Sequence, residues 1–409
     1  MLILNILGRI RVNERGGWGK VNINYKRSIS FLQTLIKNNT MNPPGNEDKL
    51  AQLISKYAEK HSLETKIQSI TENRSNIVIK LEGKNPEQAP LVFSGHLDTV
   101  PAGDEGNWIN SPISGELIDN KIYGRGSCDM KSGLSAILEA MIFMKETNTL
   151  PETDIIFIGT AGEEVDCIGA RKVIENKEIS NAGAIVIAEP STNKVFSAHK
   201  GALWVGVEIY GKTAHSSTPS EGINAIMYMV DFLKRIKETD FTNALSHKLL
   251  GETTFNISTI QGGVQTNVVP DKCRIEIDFR TTSKTQNKNI IKMIKSILIE
   301  MEQELDFFQS DVKILHDLPP VINKDNDKFV KLALSLNEDL QEGGGVEKGA
   351  SYYTDGSVFS ENLDIPIIIY GPGEEKLAHQ PNEYVQVDKY IEAIHYYISI
   401  MKSYSTEYL

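Results

Sequence analysis

The stretch Leu91-Val92-Phe93-Ser94-Gly95-His96-Leu97-Asp98-Thr99-Val100-Pro101 decides the fold. Its first three residues are an apolar run of strand length, and a histidine and an aspartate two residues apart follow directly. In open α/β sheets functional groups gather just beyond the carboxyl ends of strands. Working outward, Asn76–Leu81, Ile155–Ile158 and Ala184–Ile187 are runs of the same kind, largely β-branched and bounded by Gly, Asp, Glu or Pro. A long helical pattern, Ser132–Lys145, lies among them. Earlier, helical periodicity starts after Asn42-Pro43-Pro44-Gly45, with Leu50, Leu53, Ile54, Tyr57 and Ala58 on one face. Strands alternating with helices predict an α/β domain with a mainly parallel sheet.

From Ala202 to Leu315 the pattern changes. Strands at Leu203–Tyr210, Thr254–Ile260, Arg274–Arg280 and Val312–Leu315 and helices at Asn224–Lys237 and Lys288–Glu304 give the order β-α-β-β-α-β of ferredoxin-like folds. After Pro319-Pro320 the α/β character returns, with a helix near Asp327–Leu336, a strand at Ile367–Tyr370 and a last helix from Asp388 to Lys402. The expected organisation is therefore one α/β domain over residues 26–200 and 317–409, with residues 201–316 inserted. Residues 1–25 lack a clear period and read as an N-terminal extension. There is no internal repeat, and the one biased stretch is the glycine-rich loop Glu342–Ser351.

Composition narrows the function. The 409 residues are 40% hydrophobic and 24% charged, the balance of a soluble globular protein. With 43 basic against 54 acidic side chains the formal charge is −11, which disfavours nucleic acid or an anionic membrane as partner. The three cysteines are an odd count without CxxC spacing, so a reducing, cytoplasmic compartment fits better than a disulfide framework. MLILNILGRI has neither a positive region before it nor a small-residue cleavage site after it, so it does not read as a signal peptide. No run reaches the roughly 18 apolar residues of a membrane span.

Five segments carry candidate chemistry. His96 offers an imidazole for a divalent metal, and Asp98 is spaced to accept the other ring N–H and fix the tautomer. Gly124-Arg125-Gly126-Ser127-Cys128-Asp129-Met130-Lys131-Ser132-Gly133 places Asp129 at a glycine-rich bend before a helix. There an aspartate is ordinarily an N-cap, but a carboxylate can also bridge two cations. Gly162-Glu163-Glu164 follows a buried strand, so one glutamate can bind metal while the other moves protons. Ala188-Glu189-Pro190 and Ala378-His379-Gln380-Pro381-Asn382-Glu383 complete the set. Each segment is ambiguous alone, since an adjacent glutamate pair is usually just solvated charge. Together two histidines and three carboxylates follow strands of one domain, a set that suits zinc, cobalt or manganese better than magnesium. Cys128 lacks a second thiol or histidine at ligand spacing and reads as a packed small residue.

In their order SGHLDTVP, GRGSCDMKSG, AGEE, AEPS and AHQPNEYV resemble the M20 family of metallopeptidases. Within it they look nearest to the acetylornithine deacetylases and succinyl-diaminopimelate desuccinylases. The resemblance covers nearly the whole chain, the inserted segment included. It implies two divalent metal ions, most simply zinc: His96 and Glu189 on one, Glu164 and His379 on the other, Asp129 bridging, Asp98 orienting His96 and Glu163 the general base. It further implies that the inserted domain is a lid through which the chain forms a homodimer. In that arrangement His215 of Gly211-Lys212-Thr213-Ala214-His215-Ser216 helps hold the oxyanion in a neighbouring subunit's site. Asn267, Arg280 and Thr354 match substrate-side positions.

The implied reaction is hydrolysis of the amide of an N-acyl amino acid. An arginine pair found before the lid's first strand in many desuccinylases is replaced by His199-Lys200-Gly201-Ala202, which leaves the acyl group open. A dipeptidase or carboxypeptidase acting on short peptides would use the same centre. A non-catalytic, metal-stabilised binding protein would be expected to lack Glu163 or one ligand, and all are present.

Overall fold

The computed structural model describes residues 23–242, 246–340 and 344–408. They form two compact units. One holds the described residues up to Ala198, Asn323–Lys348 and those from Thr354 onward; the other holds His199–Ile322 and Gly349–Tyr353.

The first unit is built on a mixed sheet of β1 (Glu64–Thr71), β2 (Arg74–Leu81), β3 (Leu91–His96), β4 (Ile155–Thr160), β5 (Ala184–Ile187), β6 (Phe196–His199) and a late strand, Ile367–Ile369. Their order is β1-β2-β4-β3-β5, then Ile367–Ile369, then β6. β3 runs parallel to both β4 and β5, and Ile367–Ile369 runs parallel to β5. β2 pairs antiparallel with β4, as β1 does with β2. The parallel centre explains the unbroken apolar runs: every residue of β3 and β5 is buried, as a strand covered on both faces must be. Helix Lys131–Glu146 is buried from Lys131 through Met144, and an all-round apolar helix of this kind belongs inside a core. The last helix, Val387–Ser403, adds fully buried Tyr390, Tyr396 and Tyr397, with the Tyr396 ring stacked on Tyr370 at 3.6 Å.

Several features depart from the sequence reading, among them the strand Phe196–His199 and the placing of residues 317–322 and 349–353 in the second unit. Helical structure begins before Asn42, in a helix at Tyr25–Lys37 that Asn24 caps by accepting from the Arg27 N–H. Residues 1–22 of the expected extension lie outside the described residues, and Asn24 and Tyr25 already belong to this helix and its cap. Strand β1 was not anticipated, because only Gln68 of its eight residues is buried and it offers no apolar face to read.

In the second unit, β7 (Gly201–Tyr210), β8 (Thr254–Gly262), β9 (Lys272–Thr281) and β10 (Gln309–Leu318) form a fully antiparallel sheet in the order β8-β9-β7-β10. Helices Ala225–Glu238 and Gln286–Glu304 complete the ferredoxin-like β-α-β-β-α-β order. β9 alternates buried and half-buried residues, the period of a strand with one face on a core. That core gathers Val205, Val207, Phe232, Ile275, Ile277, Ile294 and their neighbours. Asn224 caps the first helix by accepting from the N–H groups of Ile226 and Met227. β8 is an edge strand and almost entirely exposed.

Candidate metal centre

Five candidate ligands gather where the parallel strands end. His96 is the last residue of β3, Glu164 follows the end of β4, and Glu189 follows β5. Asp129 stands just before the helix Lys131–Glu146, and His379 lies in the segment after Ile367–Ile369. The ligand atoms of His96, Asp129 and Glu189 lie within 4.8 Å of one another, and so do those of Asp129, Glu164 and His379. Asp129 belongs to both groups and spans them: its Oδ1 is 3.0 Å from His96 Nε2, and its Oδ2 is 3.4 Å from His379 Nε2. Glu189 Oε1 is 3.5 Å from His96 Nε2, and Glu164 Oε2 is 3.2 Å from His379 Nε2.

Electrostatics at the cluster fit cations. Burial, then the Glu189 charge, raises Glu163 well above the ordinary carboxylate range. Burial, then the charge on Asp129, raises Glu164 as well. Burial pushes Glu189 up to about 8. Burial works against the charged form of Asp129 too, but His379 and His96 outweigh it and hold that carboxyl low. For His96 burial disfavours charge, yet Glu189 and Asp129 prevail and raise it well above its usual value. Hydrogen bonding to Asp129 and Glu164 lifts His379 to about 10. Buried negative charge thus exceeds what the two imidazoles can offset, and Glu164 Oε1 is buried without a hydrogen-bond partner. An orphaned carboxylate oxygen beside an aspartate common to both groups, in a mixed nitrogen and oxygen donor set, is what a pair of divalent metals would satisfy.

Three supporting contacts aim this cluster. The sequence reading gave Asp98's carboxylate the task of orienting His96; the structure assigns that contact to the main chain. His96 Nδ1 lies 2.8 Å from the Asp98 carbonyl oxygen, and the carboxylate is 3.7 Å away. The carboxylate instead accepts from the N–H groups of Gly162, Glu163 and Glu164 at 3.0–3.3 Å, and from Asn42 Nδ2 at 2.9 Å. It therefore fixes the turn that presents both glutamates. Gly162 makes that turn with φ +79°, a backbone conformation that L side chains rarely adopt.

The second contact went unread in the sequence. Fully buried Glu383 accepts from the N–H groups of Cys128 and Asp129 at 2.7 and 3.0 Å and pairs with the Arg125 guanidinium. It holds the Asp129 backbone in place from behind. The available signal was an acidic and a basic residue, each inside a motif that also holds a ligand candidate. In the third contact, Thr160 at the end of β4 donates to buried Asp355 at 2.6 Å.

The remaining candidates are placed as follows. Thr354 is fully buried in the first unit, its Oγ1 accepting from the Gly356 N–H. In the second unit His215 is exposed, with Nδ1 2.8 Å from Ser217 Oγ. Asn267 is exposed, and its main-chain carbonyl accepts from the Ser216 N–H. Arg280 is half-buried, donates to Asp278 and lies over the Tyr353 ring. Cys128 is buried, donates to the Glu374 carbonyl and is in neither ligand group.

A pair of metal-ligand groups sharing a carboxylate, at the carboxyl ends of parallel strands, defines a class of two-metal hydrolytic centres. The chain matches the model of "Peptidase family M20/M25/M40" over residues 92–403, and it belongs to that family. It is 30% identical over 415 residues to the "Probable succinyl-diaminopimelate desuccinylase" of Staphylococcus aureus (strain MRSA252), across 94% of this chain and 98% of that one. Among solved structures it is similar to a tripeptidase from Staphylococcus aureus Mu50, with TM-score 0.76, 24% identity and coverage of 93% and 99%. A dinuclear metal binding peptidase of the M20 family from Bacillus subtilis gives TM-score 0.70, 16% identity and coverage of 94% and 99%. At these identities the two structures speak to the fold. The chain is a hydrolase of a metal-dependent family, with an α/β unit and a ferredoxin-like unit.

Proposed function

We propose that this protein hydrolyses the amide bond of an N-acyl amino acid, in the manner of the deacetylases and desuccinylases. The observation that carries the reading is the pair of ligand groups joined by Asp129. The name of the Staphylococcus aureus relative supports the acyl-amino-acid substrate class. His96 and Glu189 would hold one metal and Glu164 and His379 the other, with Asp129 shared between the two groups. The donor set favours zinc, with cobalt or manganese as substitutes.

When bound, such a pair supplies Lewis acidity and lowers the pKa of water toward about 7. The chain's own residues do the rest. Glu163 is outside both ligand groups but on the same turn as Glu164, held through its N–H by Asp98. It takes the proton of the attacking water and returns it to the leaving amine. Its buried, charge-crowded setting raises its pKa, which suits a group that must carry a proton between the two steps. His215, reaching a neighbouring subunit's site in a homodimer, steadies the oxyanion, while Asn267, Arg280 and Thr354 contact the substrate. Exposed Ile257 and Ile260 on edge strand β8 support self-pairing of the lid. The three free, buried cysteines support a reducing, cytoplasmic setting.

A second reading, a short-peptide hydrolase, is favoured by the likeness to the tripeptidase fold. The experiment that separates them is hydrolysis of N-acetyl, N-formyl and N-succinyl amino acids beside di- and tripeptides, with zinc, cobalt and manganese each supplied. Preferential cleavage of the N-acyl amino acids is expected. Preference for peptides would replace this reading with the second, and equal activity of chelated and loaded protein would overturn both.

A further inference from the structure

Away from the metal-ligand cluster, helices Tyr25–Lys37 and Glu47–Lys60 border an open groove of about 590 Å³, a size that suits a small organic molecule. Phe31 and Tyr57 stack at 3.7 Å and nearly parallel, and with Leu53 they give the groove an apolar wall. Four cationic side chains line it, Arg27, Lys49, Lys56 and Lys60, and no carboxylate does. Arg27 is tied to Glu139 and Glu146. Among the described residues Lys49, Lys56 and Lys60 have no ion pair or hydrogen-bond partner.

The acidic residues of the same helix are engaged elsewhere. Glu47 pairs with Arg74, Asp48 accepts from Ser75 and Gln52, and Glu59 accepts from Ser55 and Thr65. Helix Glu47–Lys60 thus sorts its charges, leaving uncompensated positive charge over an apolar wall in a chain of net charge −11. A solvated surface helix needs no such sorting of its charges beside a pair of stacked rings. Residues 1–22 carry Arg9, Arg11, Arg15 and Lys20 against the single acid Glu14, so their charge is the wrong sign for this groove.

We propose that this groove is a second ligand site, outside the catalytic centre, for a small organic anion with an aromatic or aliphatic body. The anionic group sits among Lys49, Lys56 and Lys60, and the body lies against Phe31, Leu53 and Tyr57. Attraction by exposed lysines weakens with salt, whereas apolar contact does not.

The test uses the full chain and 1-anilinonaphthalene-8-sulfonate, an anionic aryl probe, with the uncharged N-phenyl-1-naphthylamine beside it. The site predicts saturable fluorescence enhancement by the anionic probe, weakening from 50 to 500 mM salt and competed by 3-phenylpropionate. The double variant K49E/K56E should bind at least tenfold more weakly, and K49A/K56A less weakly than that. Neither variant alters the proposed catalytic machinery, so both should keep wild-type hydrolysis, which separates loss of this site from failure of the amide-hydrolase reading. Equal affinity for the two probes, or unchanged affinity in K49E/K56E, would overturn the proposal.

Discussion

Asp98 shows how one residue can support two candidate ligands at once, through its main chain and its side chain. Its carbonyl oxygen meets His96 while its carboxylate collects the N–H groups of the turn bearing Glu163 and Glu164. Asp98→Ala is therefore expected to loosen both glutamates and cut metal affinity or turnover about 10–100-fold, as loss of a group behind a ligand typically does. His96 keeps its carbonyl partner in that variant, so its ring should stay in place. Titration with zinc, followed by assay of the loaded variant, reads both effects; wild-type values would remove Asp98 from the support of the site. Glu383→Gln, which weakens the hold on the Asp129 backbone and strands Arg125, should act in the same direction. The ligand candidates were legible because histidines and carboxylates after apolar strands are few. Asp98 was legible as a neighbour of His96 but the task of its carboxylate was not, and Glu383 went unread, because nothing in a sequence tells whether a carboxylate will meet a ring or a run of N–H groups.

Among the elements, helix Lys131–Glu146 carries a tight constraint against main chain. A Cβ at Gly133 would come within 2.3 Å of the Ala188 carbonyl oxygen, in the segment that presents Glu189. Gly133→Ala must push the helix away from the end of β5 and should destabilise by about 1–3 kcal/mol, as overpacking does. A calorimetric scan with and without zinc measures it, and an unchanged melting temperature would contradict the packing account. The last helix carries a pH effect. Burial holds His395 down at about 4, with Nε2 2.9 Å from the Tyr25 hydroxyl. Its neutral form is favoured on folding, so its contribution is present above the unfolded value of about 6.5 and is lost as pH falls toward 4, by up to ~3 kcal/mol. His395→Gln should flatten the fall in stability across that window, read from denaturant midpoints; a parallel wild-type curve would refute it. The buried strands and long helices could be read because their periods are strong. Helix Tyr25–Lys37 was passed over beside a weakly patterned N-terminus, and β1 is too polar on both faces to show a period.

For the whole molecule, the β-α-β-β-α-β order of the second unit follows from local pattern, whereas association between copies does not. The exposed edge of β8, with Ile260 56% exposed, is the surface the proposed homodimer would use. Sedimentation should find a dimer for the natural chain and a shift toward monomer for Ile260→Lys; a monomeric natural chain would remove the dimer and the cross-subunit role of His215 together. The central claim is that a pair of metals held by five side chains works with Glu163 to hydrolyse an amide. Its most direct test is Glu163→Gln, assayed for bound zinc and for turnover of the best N-acyl amino acid. The account predicts two equivalents of zinc, as in the natural chain, with turnover lower by about 10²–10⁴-fold. Turnover near the natural level with zinc bound would contradict it.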